Sequence, residues 1–151
     1  MTSQYETKRL ITFDRIKIKS NYKYLLNTKV KFNEMFHSRS GEKIGIFYSS
    51  KDDINIPYNL YIAVSYIKQT LTLEFSSKIL KEKYPDLISR DTIKECLTNI
   101  NQLHICDIDV DSILSNGAIT SVDVTYDANL ILSDNLLNIL NSQVKIGRAH
   151  V

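Results

Sequence analysis

The stretch Leu60-Tyr-Ile-Ala-Val-Ser-Tyr-Ile-Lys-Gln-Thr-Leu-Thr-Leu-Glu-Phe75 decides the fold class. Two runs rich in branched and aromatic residues, Leu60–Ile67 and Leu71–Phe75, are joined by Lys68-Gln-Thr, and this spacing predicts a β-hairpin. In the second run Leu71, Leu73 and Phe75 alternate with polar residues. They therefore face a core and send Glu74 to the opposite side.

Working outward, Phe13-Asp-Arg-Ile-Lys-Ile-Lys19 alternates as a strand, with Ile16 and Ile18 on one face and Arg15, Lys17 and Lys19 on the other. Thr28-Lys-Val-Lys-Phe32 alternates similarly, and Lys43-Ile-Gly-Ile-Phe-Tyr48 reads as a strand after a turn at His37–Glu42. A loop covers Lys51–Pro57. Downstream, Ser76–Tyr84 reads as helical up to Pro85. A second helix, capped by Ser89 or Asp91, carries an apolar stripe of Ile93, Cys96, Leu97, Ile100 and Leu103. Ile105–Val110 and Ala118–Tyr126 read as strands around a turn at Asn116-Gly117, and Ser133 caps a last amphipathic helix. Strands, helices, two strands and a helix make an α+β protein, an antiparallel β-sheet with helices packed on one face.

The bulk numbers agree with one such domain. The chain has 151 residues, 43% of them hydrophobic and 24% charged, so collagen-like, coiled-coil and disordered classes are excluded. No apolar run reaches membrane-spanning length and the first residues lack a signal core, which predicts a cytoplasmic protein with no membrane partner. Two cysteines cannot build a disulfide framework.

The ending Lys145-Ile-Gly-Arg-Ala-His-Val151 reads as the translation of a widely used sequencing adapter and is set aside from fold reasoning. The expected native sequence is 1–144, continuing beyond it. Within it the charge is divided. Residues 1–84 hold 15 Lys/Arg and 8 Asp/Glu, whereas residues 85–144 hold 2 and 9. A basic half beside an acidic one is compatible with a polyanion-facing surface and equally with differently solvated faces.

Asp123, in Ser121-Val-Asp-Val-Thr-Tyr-Asp127, occupies the polar face of its strand as Glu74 does in the hairpin. If the two strands are neighbours, adjacent carboxylates repel unless a cation lies between them, and oxygen ligands favour Mg²⁺ or Mn²⁺. Solvated strand positions explain the same pattern. Cys106-Asp-Ile-Asp-Val-Asp111 fails as a calcium loop, having Ser112 and Ala118 where Gly and Glu are needed. Its aspartates read as the wet side of a strand. The histidines sit in no metal spacing, and Cys96 and Cys106 read as buried thiols. No glycine-rich phosphate loop is present. Arg15, Lys17 and Lys19, with Lys29 and Lys31 on the next strand, form basic rows. Several tyrosines of the basic half (Tyr22, Tyr24, Tyr48, Tyr58, Tyr61, Tyr66) offer stacking surfaces for unpaired bases or serve simply as core.

Leu71-Thr-Leu-Glu-Phe-Ser-Ser-Lys-Ile-Leu80, the Pro85–Leu103 helix and Gly117-Ala-Ile-Thr-Ser-Val-Asp-Val-Thr-Tyr-Asp127 together resemble the phage/plasmid replication proteins of the gene II/X family. These are rolling-circle initiators, similar to the filamentous-phage replication endonuclease. The resemblance covers roughly residues 43–130. It implies a nickase-like α+β fold and DNA replication initiation by metal-dependent nicking of origin DNA, single-stranded or hairpin, in a bacterial host. A tyrosine attacks phosphorus and stays joined to the 5′ end, leaving a 3′-hydroxyl as primer. The resemblance also implies Glu74 and Asp123 as Mg²⁺ or Mn²⁺ ligands, Asp127 as a third candidate, and host helicase and polymerase as partners. The His-hydrophobic-His motif of the wider nickases is absent, and Ser121 stands where a basic residue often precedes the aspartate. The nucleophilic tyrosine is expected beyond residue 144, so residues 1–144 form the N-terminal part of the endonuclease domain and are expected to be inactive alone. The alternative is a non-catalytic single-stranded nucleic-acid-binding domain using Arg15, Lys17 and Lys19 with exposed aromatics; a structural domain without nucleic acid is the plainest reading.

Overall fold

The structure is a computed structural model that describes residues 12–124. The described residues form eight strands: β1 (Phe13–Asn21), β2 (Leu25–Thr28), β3 (Asn33–Phe36), β4 (Lys43–Ser49), β5 (Leu60–Ser65), β6 (Thr70–Ser76), β7 (Cys106–Ile108) and β8 (Ala118–Val124). Two α-helices, α1 (Ile93–Gln102) and α2 (Val110–Asn116), and three short 3-10 segments complete them.

The hairpin forms as expected from β5 and β6, with Leu71, Leu73 and Phe75 almost fully buried. Its turn starts earlier than the apolar pattern indicates. The Lys68 N–H donates to Ser65 Oγ (3.1 Å) and Gln69 takes a φ of 56°, leaving Tyr66 and Ile67 exposed at the tip. The main sheet has the order β3-β4-β5-β6-β1-β8, antiparallel at every pairing. The first described strand is thus inserted between β6 and β8. A separate small sheet pairs β2 with β7.

One face of the main sheet carries the core. Ile16, Ile18, Leu60, Ile62, Val64, Leu71, Leu73 and Phe75 meet Ile79, Leu80, Ile88, Ile93, Cys96, Leu97, Ile100 and Ile113 in one apolar cluster. The expected α+β class, an antiparallel sheet with helices on one face, is therefore observed. The apolar stripe of α1 is buried at Ile93, Cys96, Leu97 and Ile100. Burying each large aliphatic side chain stabilises the fold by about 1.5–3 kcal/mol, which is why the stripe overrides the modest helix propensity of its Thr, Asn and Ile residues.

Four local expectations are corrected. Thr28–Phe32 is not a strand, because β2 ends at Thr28 and residues 29–32 cross to the main sheet. Phe32 is anchored in the core there, its ring 5.9 Å from that of Tyr48. Ser77–Asp86 winds as a 3-10 segment broken at Lys81 (φ 59°) rather than as an α-helix. The Ile79 carbonyl, which an α-turn would use, accepts instead from Asn99 Nδ2 on α1 (3.0 Å). Helix α1 begins with Thr92 at its N-cap position. Ser89 and Thr92 brace the preceding turn, Thr92 Oγ1 accepting from the Ser89 N–H (2.8 Å) and donating to the Leu87 carbonyl (2.7 Å).

The fourth concerns Ile105–Val110. Only Cys106–Ile108 is strand, and Asp109 caps α2, accepting from the Ser112 N–H (3.2 Å) and Ser112 Oγ (2.8 Å). Asp111 then lies in the first helical turn, where a carboxylate complements the helix dipole. The expected Ser133 helix and the tail lie outside the described residues. Among the described residues no helix is long and apolar enough to cross a membrane.

Candidate nucleic-acid interface

Alternation sends every second residue of the main sheet to the face opposite the core. The strand registers assemble these residues into rows. Ser49, Tyr61, Glu74 and Lys17 follow one another across β4, β5, β6 and β1. In the next row Asn33, Phe47, Ala63, Thr72 and Lys19 run from β3 to β1. At the far end Ser76, Arg15 and Asp123 share a row across β6, β1 and β8.

The position of β1 decides the fate of the two expected metal ligands. Glu74 and Asp123 are not on neighbouring strands, since β1 lies between β6 and β8. Lys17 is the partner of Glu74 in the ladder and Arg15 that of Asp123. Two strand spacings of about 4.8 Å and a two-residue offset of about 6.7 Å place their Cα atoms roughly 12 Å apart. The Glu74 carboxylate has Arg15 Nε at 3.8 Å. Among the described residues no group of three or more His, Cys, Asp and Glu gathers as a metal site. Asp127 lies outside the described residues. Glu74 and Asp123 therefore stand two strands apart, with β1 between them.

The basic residues divide as well. Arg15, Lys17 and Lys19 share one strand face, as alternation requires. Among the described residues Lys17 and Lys19 form no ion pair, whereas Arg15 pairs with Glu74. Lys29 is not on an adjoining strand of this sheet. It follows β2 in the small sheet and its ammonium pairs with Asp107 at 3.3 Å. A hydrogen bond from Asn27, helped by Lys29, holds the Asp107 carboxyl below the usual range. Lys31 lies in the exposed crossing to β3. The basic row is thus three residues long rather than five.

Of the tyrosines considered for stacking, Tyr61 reaches the outer face. Tyr48 turns to the core side, where its hydroxyl donates to Asp53 Oδ2 (2.9 Å). Tyr22 and Tyr24 pack against the core from a 3-10 segment. The partner of Tyr61 is Phe47, with ring centroids 6.0 Å apart and planes tilted by 33°. Burial, and secondarily the Glu74 charge, raise the Tyr61 hydroxyl pKa above its ordinary value, so it stays a neutral ring and donor.

Phe47 is not singled out in the sequence, where Lys43–Tyr48 reads as a strand without its faces being assigned. Two adjacent strand residues must point to opposite faces, and that rule was the available signal. Ala63, between Phe47 and Thr72 in the row, keeps the surface flat next to the rings. The outer face therefore combines an aromatic pair at one side, Thr72 and the Glu74 carboxylate in the middle, and a row of three cations on β1.

Compared with protein-family models, curated proteins and solved structures, the chain finds no match.

Proposed function

We propose that this chain is a single-stranded DNA-binding domain of a replication initiator, engaging the strand on the outer face of its main sheet in the cytoplasm of a bacterial host. The observation that carries the reading is the Phe47–Tyr61 pair set on the same face as Lys17, Lys19 and Arg15. Stacking on aromatic rings requires bases with free faces, which a duplex does not offer, and the cation row supplies the phosphate attraction. The replication context comes from the motif resemblance and stands on those residues. Metal-dependent nicking belongs to the same resemblance and rests on it alone; Glu74 and Asp123 stand on strands separated by β1, and no metal-dependent step is assigned to them here.

The test is fluorescence anisotropy of a labelled single-stranded oligonucleotide with the whole chain, repeated with EDTA and with a duplex of the same sequence. The expected result is binding to the single strand, unaffected by EDTA, much weaker to the duplex, with the oligonucleotide left intact. Equal affinity for duplex, or none for either, overturns the proposal. Cleavage that requires Mg²⁺ or Mn²⁺ and is lost in Glu74→Ala and Asp123→Ala restores the metal-centre reading instead.

A further inference from the structure

Glu74 is at odds with the face it occupies. Arg15, Lys17 and Lys19 make that face attractive to phosphate, and a carboxylate among them works against the attraction. Its side chain keeps 26% of its surface exposed, and Arg15 Nε, at 3.8 Å, stands beyond hydrogen-bond length. The carboxylate oxygens therefore retain acceptor capacity on the outer side of the sheet.

The register sets this acceptor beside the stacking surface. Glu74 is the ladder partner of Tyr61, and paired positions on one sheet face lie about 5 Å apart at Cβ. The Tyr61 hydroxyl senses the Glu74 charge, which adds to burial in raising its pKa. The next pair on the same face, Ala63 and Thr72, has short side chains and leaves a shallow floor beside both. A base stacked on the Tyr61 ring thus presents its edge to the Glu74 carboxylate.

Base edges differ in what they offer a carboxylate, which can only accept. The Watson–Crick edge of guanine carries two adjacent donors, N1–H and the N2 amino group, spaced to meet both carboxylate oxygens at once. Cytosine and adenine each offer one amino donor next to a ring-nitrogen lone pair, and thymine offers one N3–H between two carbonyls. Each of these three sets an acceptor against the carboxylate. We infer that Glu74 is a base-reading residue that selects guanine in the strand bound on this face. The inference rests on the single-strand reading above and adds a sequence preference to it.

The experiment is fluorescence anisotropy of the whole chain with short labelled oligothymidylates carrying one central guanine, adenine, cytosine or hypoxanthine, and with the all-thymine strand. The guanine strand is expected to bind at least about fivefold tighter than the all-thymine one. Hypoxanthine keeps N1–H but lacks the N2 amino group, so it is expected to lose most of that advantage; this arm needs no change in the protein. Glu74→Gln keeps the size of the side chain and turns one acceptor into a donor. It is expected to move the preference from guanine to adenine, whose edge sets a donor beside an acceptor. Equal affinity for every strand, or an undiminished guanine preference in Glu74→Gln, overturns the inference and leaves single-strand binding standing. A uniform change across all strands in that variant also overturns it, reducing Glu74 to a support for Arg15. No binding to any strand overturns the single-strand reading and this inference together.

Discussion

Replacing Lys17 and Lys19 together by glutamine removes two cations from the outer face while leaving polar side chains on β1. For single strands, log K falls with log salt by about 0.7 for each phosphate neutralised, so the variant should lose about 1.4 from the magnitude of the slope. Between about 50 mM and about 200 mM salt, the ratio of wild-type to variant affinity should then narrow about sevenfold. Phe47→Leu makes the complementary change. It keeps an apolar side chain beside Tyr61 but removes one ring of the pair, at a cost of about 1–3 kcal/mol in binding with the salt slope unaltered. Anisotropy titrations of a labelled oligothymidylate at four or more salt concentrations separate slope from intercept. A lysine variant with the wild-type slope, or a Phe47→Leu variant that alters the slope but not the intercept, would refute the assignment of phosphate contacts to β1 and stacking to β4 and β5.

Three further outcomes concern the frame that presents this face. Gly45→Ala places a Cβ against the backbone carbonyl oxygen of Val64 and 2.7 Å from Met35 Cε, so β4 and β5 must separate; a loss of about 1–3 kcal/mol should appear in urea denaturation. Asn101 on α1 holds β7 at both ends of one residue, donating to the Ile108 carbonyl (3.1 Å) and accepting from its N–H (2.7 Å). Asn101→Leu strands both groups at about 1–3 kcal/mol each, readable as a lowered calorimetric midpoint. The thiols of Cys96 and Cys106 are pushed up from 9.0 to about 12, by burial first and then by the charges of Glu95 and Asp107 respectively. In the unfolded chain they ionise near their ordinary value, so their contribution is complete below pH 9 and is lost as pH rises from 9 towards 12. Denaturation midpoints on either side of pH 9 should fall more steeply in the wild type than in Cys96→Ala/Cys106→Ala, and equal pH dependence would contradict the burial of the thiols.

How much was legible in the sequence differs by element. The hairpin, β1, β4 and the apolar stripe of α1 were readable because period-2 and period-3.6 patterns are local records of which face is buried. Helix α2 was equally available, since Asp109 followed by Ser112, apolar Val110, Ile113 and Leu114, and Gly117 after the end make a capped helix. The alternating aspartates drew the reading towards a strand instead. The 3-10 winding of Ser77–Asp86 was not legible, because it turns on the Ile79 carbonyl being taken by Asn99, twenty residues away.

By itself, the sequence determined the class of the fold, the two-faced character of β1 and β6, and the candidates Glu74, Arg15, Lys17 and Lys19. Only the tertiary structure decided which of these meet. Alternation assigns a residue to a face but says nothing of which strand lies beside it, because strand order is set by how distant segments close one core. Inserting β1 between β6 and β8 kept the strands of Glu74 and Asp123 apart and set Arg15 beside Glu74, and pairing β4 with β5 set Phe47 beside Tyr61.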